Sequence, residues 1–201
     1  MSIFSTLLSK SKAEEIEILH KEVEMCRLCP IHKTGMGKCA LYRGNPEAKI
    51  LIVSEKSGPS EAEKGYPFAG ASEKEIEYML KACNLSWEKV IATNRVICNV
   101  EEPKNEHIKN CVWWKRVISI SNPKMIIALG RLAVQSLRGK RISSVQEYIG
   151  HPFLYNGITI VPGFNPAYLL RLRESNIEEY KEQRKLIIDS IKETKAKLKL
   201  R

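Results

Sequence analysis

Four short apolar runs punctuate the chain, at residues 49–54, 90–94, 125–129 and 158–161, each of strand length and apolar on consecutive positions rather than alternate ones. Consecutive apolar positions predict strands covered on both faces. Between and around them the spacing changes to that of helices. Residues 12–25 place Ile16, Leu19 and Val23 on one side among charges, and residues 72–83, 107–121 and 131–137 repeat the pattern. A last helix is predicted over about residues 176–200, docking Leu186, Ile187 and Ile191. Strands alternating with helices predict an α/β fold, a three-layer α/β/α arrangement around a central, mostly parallel four-stranded sheet. With no repeat or linker in view, residues 1–201 read as one domain, with an N-terminal helix and a cysteine loop inside residues 1–45.

In such a sheet, ligands bind beyond the carboxyl ends of the strands, so the residues that follow each run matter most. After the first run come Ser54, Glu55, Lys56, Ser57 and Gly58, then a Gly-Tyr-Pro-Phe-Ala-Gly segment containing Phe68. After the second comes Asn94, and after the fourth Asn165, Pro166, Ala167, Tyr168, Leu169, Leu170 and Arg171. Three strand ends therefore offer a carboxylate and two amides. Read blandly, Glu55 is solvated, Asn94 caps a turn and Asn165-Pro166 punctuates the chain.

Charge and cysteine content change the picture. The chain carries 33 Lys+Arg against 23 Asp+Glu, a net +10 that suits a polyanionic partner, although part of the excess sits in a Lys-rich tail. No apolar run approaches the roughly 18 residues of a membrane span, which predicts a soluble, intracellular protein, cytoplasmic or nucleoid-associated, without a membrane partner. Six cysteines in such a chain point to ligation or buried thiols more than to disulfides. Cys26 and Cys29 form a CxxC, while Cys98 and Cys111 flank a polar segment. Four such thiolates suit zinc or an iron–sulfur cluster, with Cys39 a rival ligand and Cys83 a packed hydrophobe.

The order of these pieces resembles that of the iron–sulfur (family 4) uracil-DNA glycosylases. Their CxxC is matched by Cys26 and Cys29, and their Gly-Glu-Ala-Pro-Gly loop by residues 54–58. Their Gly-x-Pro-Phe-x-Gly is matched by residues 65–70, and their Thr-Asn and third cysteine by Thr93, Asn94 and Cys98. Cys111, then Leu129-Gly130, then a His-Pro-Ala-Tyr-Leu-Leu-Arg motif that here begins with Asn165, complete the series.

The resemblance implies hydrolysis of the N-glycosidic bond of uracil, or of a related modified pyrimidine, in single- or double-stranded DNA, leaving an abasic site for base excision repair by a monomeric enzyme. It assigns catalysis to Glu55 and Asn165, base binding to Ser54, Gly58, Phe68 and Asn94, and DNA contacts to Pro166, Tyr168, Leu169, Leu170 and Arg171. A 4Fe-4S cluster, with zinc the alternative, falls to Cys26, Cys29, Cys98 and Cys111. Departures fall on the chemistry: the motif histidine is Asn165, and Lys56 and Ser57 stand where the first loop has Ala-Pro. These keep open a catalytically weak or inactive DNA- or base-binding member of the fold. A zinc-stabilised basic interaction module is the reading from another class.

Overall fold

The computed structural model describes residues 10–33 and 39–200. Among these residues, six strands form one sheet: β1 (Arg43–Gly44), β2 (Ile50–Ser57), β3 (Ile91–Asn99), β4 (Met125–Leu129), β5 (Phe153–Tyr155) and β6 (Ile158–Gly163). Their order is β1-β3-β2-β4-β6-β5. The four central strands are mutually parallel and are the four that the apolar runs predict. The four-strand expectation is corrected at the edges, where β1 and β5 add short antiparallel strands. Two or three residues carry no readable alternation.

Among the described residues, eight α-helices accompany the sheet: α1 (Lys12–Glu24), α2 (Pro59–Lys64), α3 (Glu73–Ala82), α4 (Asn105–Asn110), α5 (Trp113–Ser121), α6 (Arg131–Arg138), α7 (Pro166–Ser175) and α8 (Ile177–Lys197). On one face, Ile52, Ile127 and Leu129 of the sheet meet Ile76, Met79 and Leu80 of α3 and Ile191 of α8. On the other, Arg95 of β3 reaches both α5 and α6. Its guanidinium lies 4.8 Å from the Trp114 ring, and its Nε donates to Ser136 at 2.9 Å. The layers are those expected. Burying chains such as Ile52, Ile76 and Ile127 contributes roughly 1.5–3 kcal/mol each.

Two boundaries differ from the pattern. The predicted helix over residues 107–121 is broken at Cys111, whose backbone is extended (φ −78°, ψ 93°). Arg95 holds that break by donating to the carbonyls of Cys111 (2.9 Å) and Ile108 (2.5 Å). In α8, Ile187 and Ile191 are buried as expected together with Ile188, whereas Leu186 is 43% exposed.

The chain runs from β2 outward to β3, then crosses back over β2 to β4. This reversal puts a topological switch point between the carboxyl ends of β2 and β4, where a crevice opens.

Candidate active site

The strands continue past their apolar halves, so the first motif is strand rather than loop. Ser54 to Ser57 belong to β2, and Asn94 and Cys98 to β3, with a register shift between Lys56 and Ser57. Polar residues can be buried there because they are hydrogen-bonded. Asn94, 1% exposed, donates from Nδ2 to Ser57 Oγ at 3.0 Å. Ser57 in turn spends its single hydroxyl proton on the Ile97 carbonyl at 3.0 Å, so its oxygen can only accept.

The same Asn94 amide hydrogen-bonds Glu61. Glu61, from α2, accepts from the N–H groups of Gly58 (2.6 Å) and Phe68 (2.5 Å). Burial pushes the Glu61 acid above its usual range, a shift that these donors and the charge of Lys56 partly offset. The nitrogen end of Asn94 is thus engaged, which leaves its oxygen for a bound molecule.

Phe68 is buried and holds a left-handed backbone (φ 58°), a conformation that a bulky residue adopts only where its surroundings enforce it. Those surroundings include Glu61 on its N–H and Arg43 Nη1, which donates to the Phe68 carbonyl at 3.0 Å. Arg43 is itself paired with Glu73 at 2.8 Å and stacked 4.0 Å from the Trp87 ring.

Ser54, Lys56, Gly58, Glu61, Phe68, Asn94, Asn165 and Pro166 border one cavity of about 250 Å³. The structure therefore brings together the four residues given to base binding, with Asn165 and Pro166. Glu55 stands off this cavity and borders an adjoining open groove of about 720 Å³, together with Lys56, Arg131, Lys140, Arg141 and Asn165. Lys56 and Asn165 border both spaces. Asn165 joins the two chemically: Nδ2 donates to Glu55 Oε2 at 2.6 Å, and Oδ1 accepts the Ala167 N–H at 2.9 Å as the N-cap of α7. The other Glu55 oxygen accepts the Leu132 N–H at 2.9 Å. Gly130, at φ 93°, leaves room for this carboxylate, since a Cβ there would lie 2.4 Å from Glu55 Cδ.

The last motif divides. Leu169 is fully buried in the core, which corrects its assignment as a DNA contact, while Leu170 is half-exposed and Arg171 exposed. Pro166 is buried, and Tyr168 stacks on Phe164 with ring centroids 4.9 Å apart. Glu61 was not among the expected site residues, which held Glu55 to be the one carboxylate of the motifs. Its signal in the sequence is its place three residues after Gly58, the spacing of a reach-back cap.

The thiols gather around Cys98, beyond Asn94 near the carboxyl end of β3. Cys39 Sγ is 3.1 Å from Cys98 Sγ. The hydrogen bond shared with Cys39, burial and the neighbouring thiols Cys39, Cys111 and Cys29 all push Cys98 upward. Burial raises Cys111 to about 11, with Cys26 and Cys29 adding to the shift. Five cysteines thus share one neighbourhood, and Trp113 Nε1 donates to Cys26 Sγ at 3.2 Å. Among the described residues, no three of the Cys, His, Asp or Glu groups converge on a single ion. Cys83 lies apart, 2% exposed, as a packed side chain.

Comparison with known proteins agrees with this geometry. The model of the uracil DNA glycosylase superfamily matches residues 41–188, which span the whole cavity. A type-4 uracil-DNA glycosylase of Thermotoga maritima is 29% identical over 195 residues, covering 94% of this chain and 97% of that protein. That of Sulfurisphaera tokodaii is 30% identical over 190 residues, covering 87% and 86%. That of Archaeoglobus fulgidus is 34% identical over 126 residues, covering 61% and 63%. With a cavity at the sheet's switch point and a matched model running through every strand that lines it, the chain belongs to the uracil DNA glycosylase superfamily.

Proposed function

We propose that this protein hydrolyses the N-glycosidic bond of uracil in DNA, leaving an abasic site for base excision repair. The observation that carries the reading is the seam between a small cavity and an open basic groove, spanned by the Glu55–Asn165 pair. A base inside a duplex cannot be reached, so its nucleotide must be extruded or taken from a single strand. With the base in the cavity and the strand in the groove, the scissile bond falls at the seam.

Phe68 offers the base an apolar wall, and the oxygen of Asn94 accepts the ring N–H of uracil. Cytosine carries a lone pair at that ring position and would leave the amide oxygen without a donor, at a cost of about 1–3 kcal/mol. Glu55 stabilises the cationic sugar and takes a proton from the attacking water. Its two held oxygens keep it oriented for that role. Asn165 positions Glu55 and keeps one amide proton for the pyrimidine oxygen. Leu170 and Arg171 present the partly open side of α7 to the DNA.

Cys26, Cys29, Cys98 and Cys111 would hold a 4Fe-4S cluster. Bound there, it would supply a cross-link between the Cys26 loop and the α4–α5 break. Cys39 adds a fifth sulfur to that neighbourhood.

Uracil-containing single strands incubated with the protein and then treated with alkali test the reading. Scission at uracil is expected, and binding without scission would make the protein a binder only. Glu55→Gln and Asn94→Ala should each lower release by about tenfold or more, a loss of at least about 1.4 kcal/mol in the transition state. Unchanged rates in both would overturn the assigned roles.

A further inference from the structure

The glycosylase reading, on which this inference rests, leaves one charge unaccounted for. When uracil departs, the C1′–N1 bond breaks with both electrons going to the base, and the resulting anion spreads over N1 and the carbonyl oxygens. Fixed positive charge at that position is worth most inside a water-poor cavity. Asn165 meets only part of the need. Its oxygen is held by the Ala167 N–H and one of its amide protons by Glu55, so it offers a single neutral donor.

Among the described residues that border the cavity, Lys56 is the one cation and Glu61 the one carboxylate. Lys56 is half-buried, stands at the seam between cavity and groove, and takes part in none of the ion pairs found among the described residues. Of the carboxylates beside it, Glu102 on the groove side is exposed, and Glu55 and Glu61 are otherwise engaged. Glu55 is held by the Leu132 N–H and Asn165, and Glu61 by the N–H groups of Gly58 and Phe68. The charge of Lys56 nevertheless acts on Glu61, and both side chains border the one cavity.

We propose that Lys56 is a catalytic residue that stabilises the departing pyrimidine anion. The electron pair of the C1′–N1 bond stays on the base, and the water oxygen bonds to C1′. The water proton passes to Glu55, while Lys56 keeps its own protons throughout. The base then takes a proton from solvent on release. Arg131, Lys140 and Arg141 along the groove are left for the phosphates.

Single-turnover release from saturated oligonucleotides carrying uracil or 5-fluorouracil tests this, because the fluorine stabilises the leaving anion without help from the protein. Lys56→Met keeps the apolar stem and removes the charge. It is expected to slow uracil release by about 100-fold and 5-fluorouracil release by clearly less, with Lys56→Arg recovering part of the loss. Misfolding would slow both bases alike, so the ratio between them carries the result. An equal loss on the two bases, or a loss confined to oligonucleotide affinity, would make Lys56 a structural or phosphate contact and overturn the proposal. A wild type that releases no uracil removes the glycosylase reading itself. An active wild type with unchanged Lys56→Met rates removes only the role of Lys56.

Discussion

The fate of two side chains decides what the cavity accepts. Asn94 was legible in the sequence as an amide at a strand end, but its orientation was not. That orientation depends on Ser57, which has already donated its proton, and on Glu61, which can only accept while ionised. Its spacing of three residues from Gly58 marks the half-buried Glu61 as a cap, but does not mark it, rather than the exposed Glu63, as a residue of the site. The difference is tertiary: Glu61 meets the backbone of Phe68, seven residues on.

Its ionisation leaves a trace in stability. Burial places the folded acid above its ordinary value of 4.5, so the folded state binds its proton more tightly than the unfolded state does. The stability this contributes is present below 4.5 and is lost as pH rises through the folded value. Glu61→Gln does not titrate. Urea midpoints for the two proteins, taken at a series of pH values on either side of 4.5, should show the wild type losing stability relative to the variant as pH rises. A relative gain would mean that the N–H donors outweigh burial.

At the scale of elements, hydrophobic periodicity located all of β4 and most of β6, but only the first part of β2 and β3, where it stopped as hydrogen bonding takes over. β2 and β3 therefore extend three and five residues beyond their predicted ends, to Ser57 and Asn99. The helix break at Cys111 was hidden for a related reason. It is held by Arg95, which is distant in sequence and buried by virtue of its carbonyl partners and Trp114. The motif from Asn165 to Arg171 was readable as a motif, but not as a helix whose Leu169 faces inward.

The junction of β4 and α6 shows how an element without a catalytic side chain serves the site. Gly130 combines a left-handed φ of 93° with a space that the Glu55 carboxylate fills. Gly130→Ala should lower uracil release by about tenfold or more with Glu55 intact, since a displaced base loses its reach to the water. The strained backbone should cost about 1–3 kcal/mol of stability. Melting temperature and single-turnover rate measured on the same sample check both. A folded variant with wild-type rates would show that Glu55 needs no such fixed seat.

Across the whole molecule, net charge could be counted from the sequence but not placed. The groove beside Glu55 takes Arg131, Lys140 and Arg141, all exposed. The Lys-rich tail lies elsewhere. α8 starts beside the end of α7 and runs 21 residues, roughly 30 Å at 1.5 Å per residue, back along the sheet. Near its far end Lys195 donates to the Cys83 carbonyl at 2.8 Å, at the C-terminus of α3 and away from the strands' carboxyl ends. Counterion release separates the two groups of charges. Each phosphate neutralised on a single strand contributes about 0.7 to the slope of log affinity against log salt. With an uncleavable single-stranded oligonucleotide, replacing Arg131, Lys140 and Arg141 together by alanine should lower that slope by about 2. Replacing Lys192 and Lys197 should leave it where it was, although both changes remove positive charge from the same net +10. If the tail substitutions flattened the slope as much as those in the groove, the DNA would be held by charge at large and not by the edge of the sheet that carries Glu55.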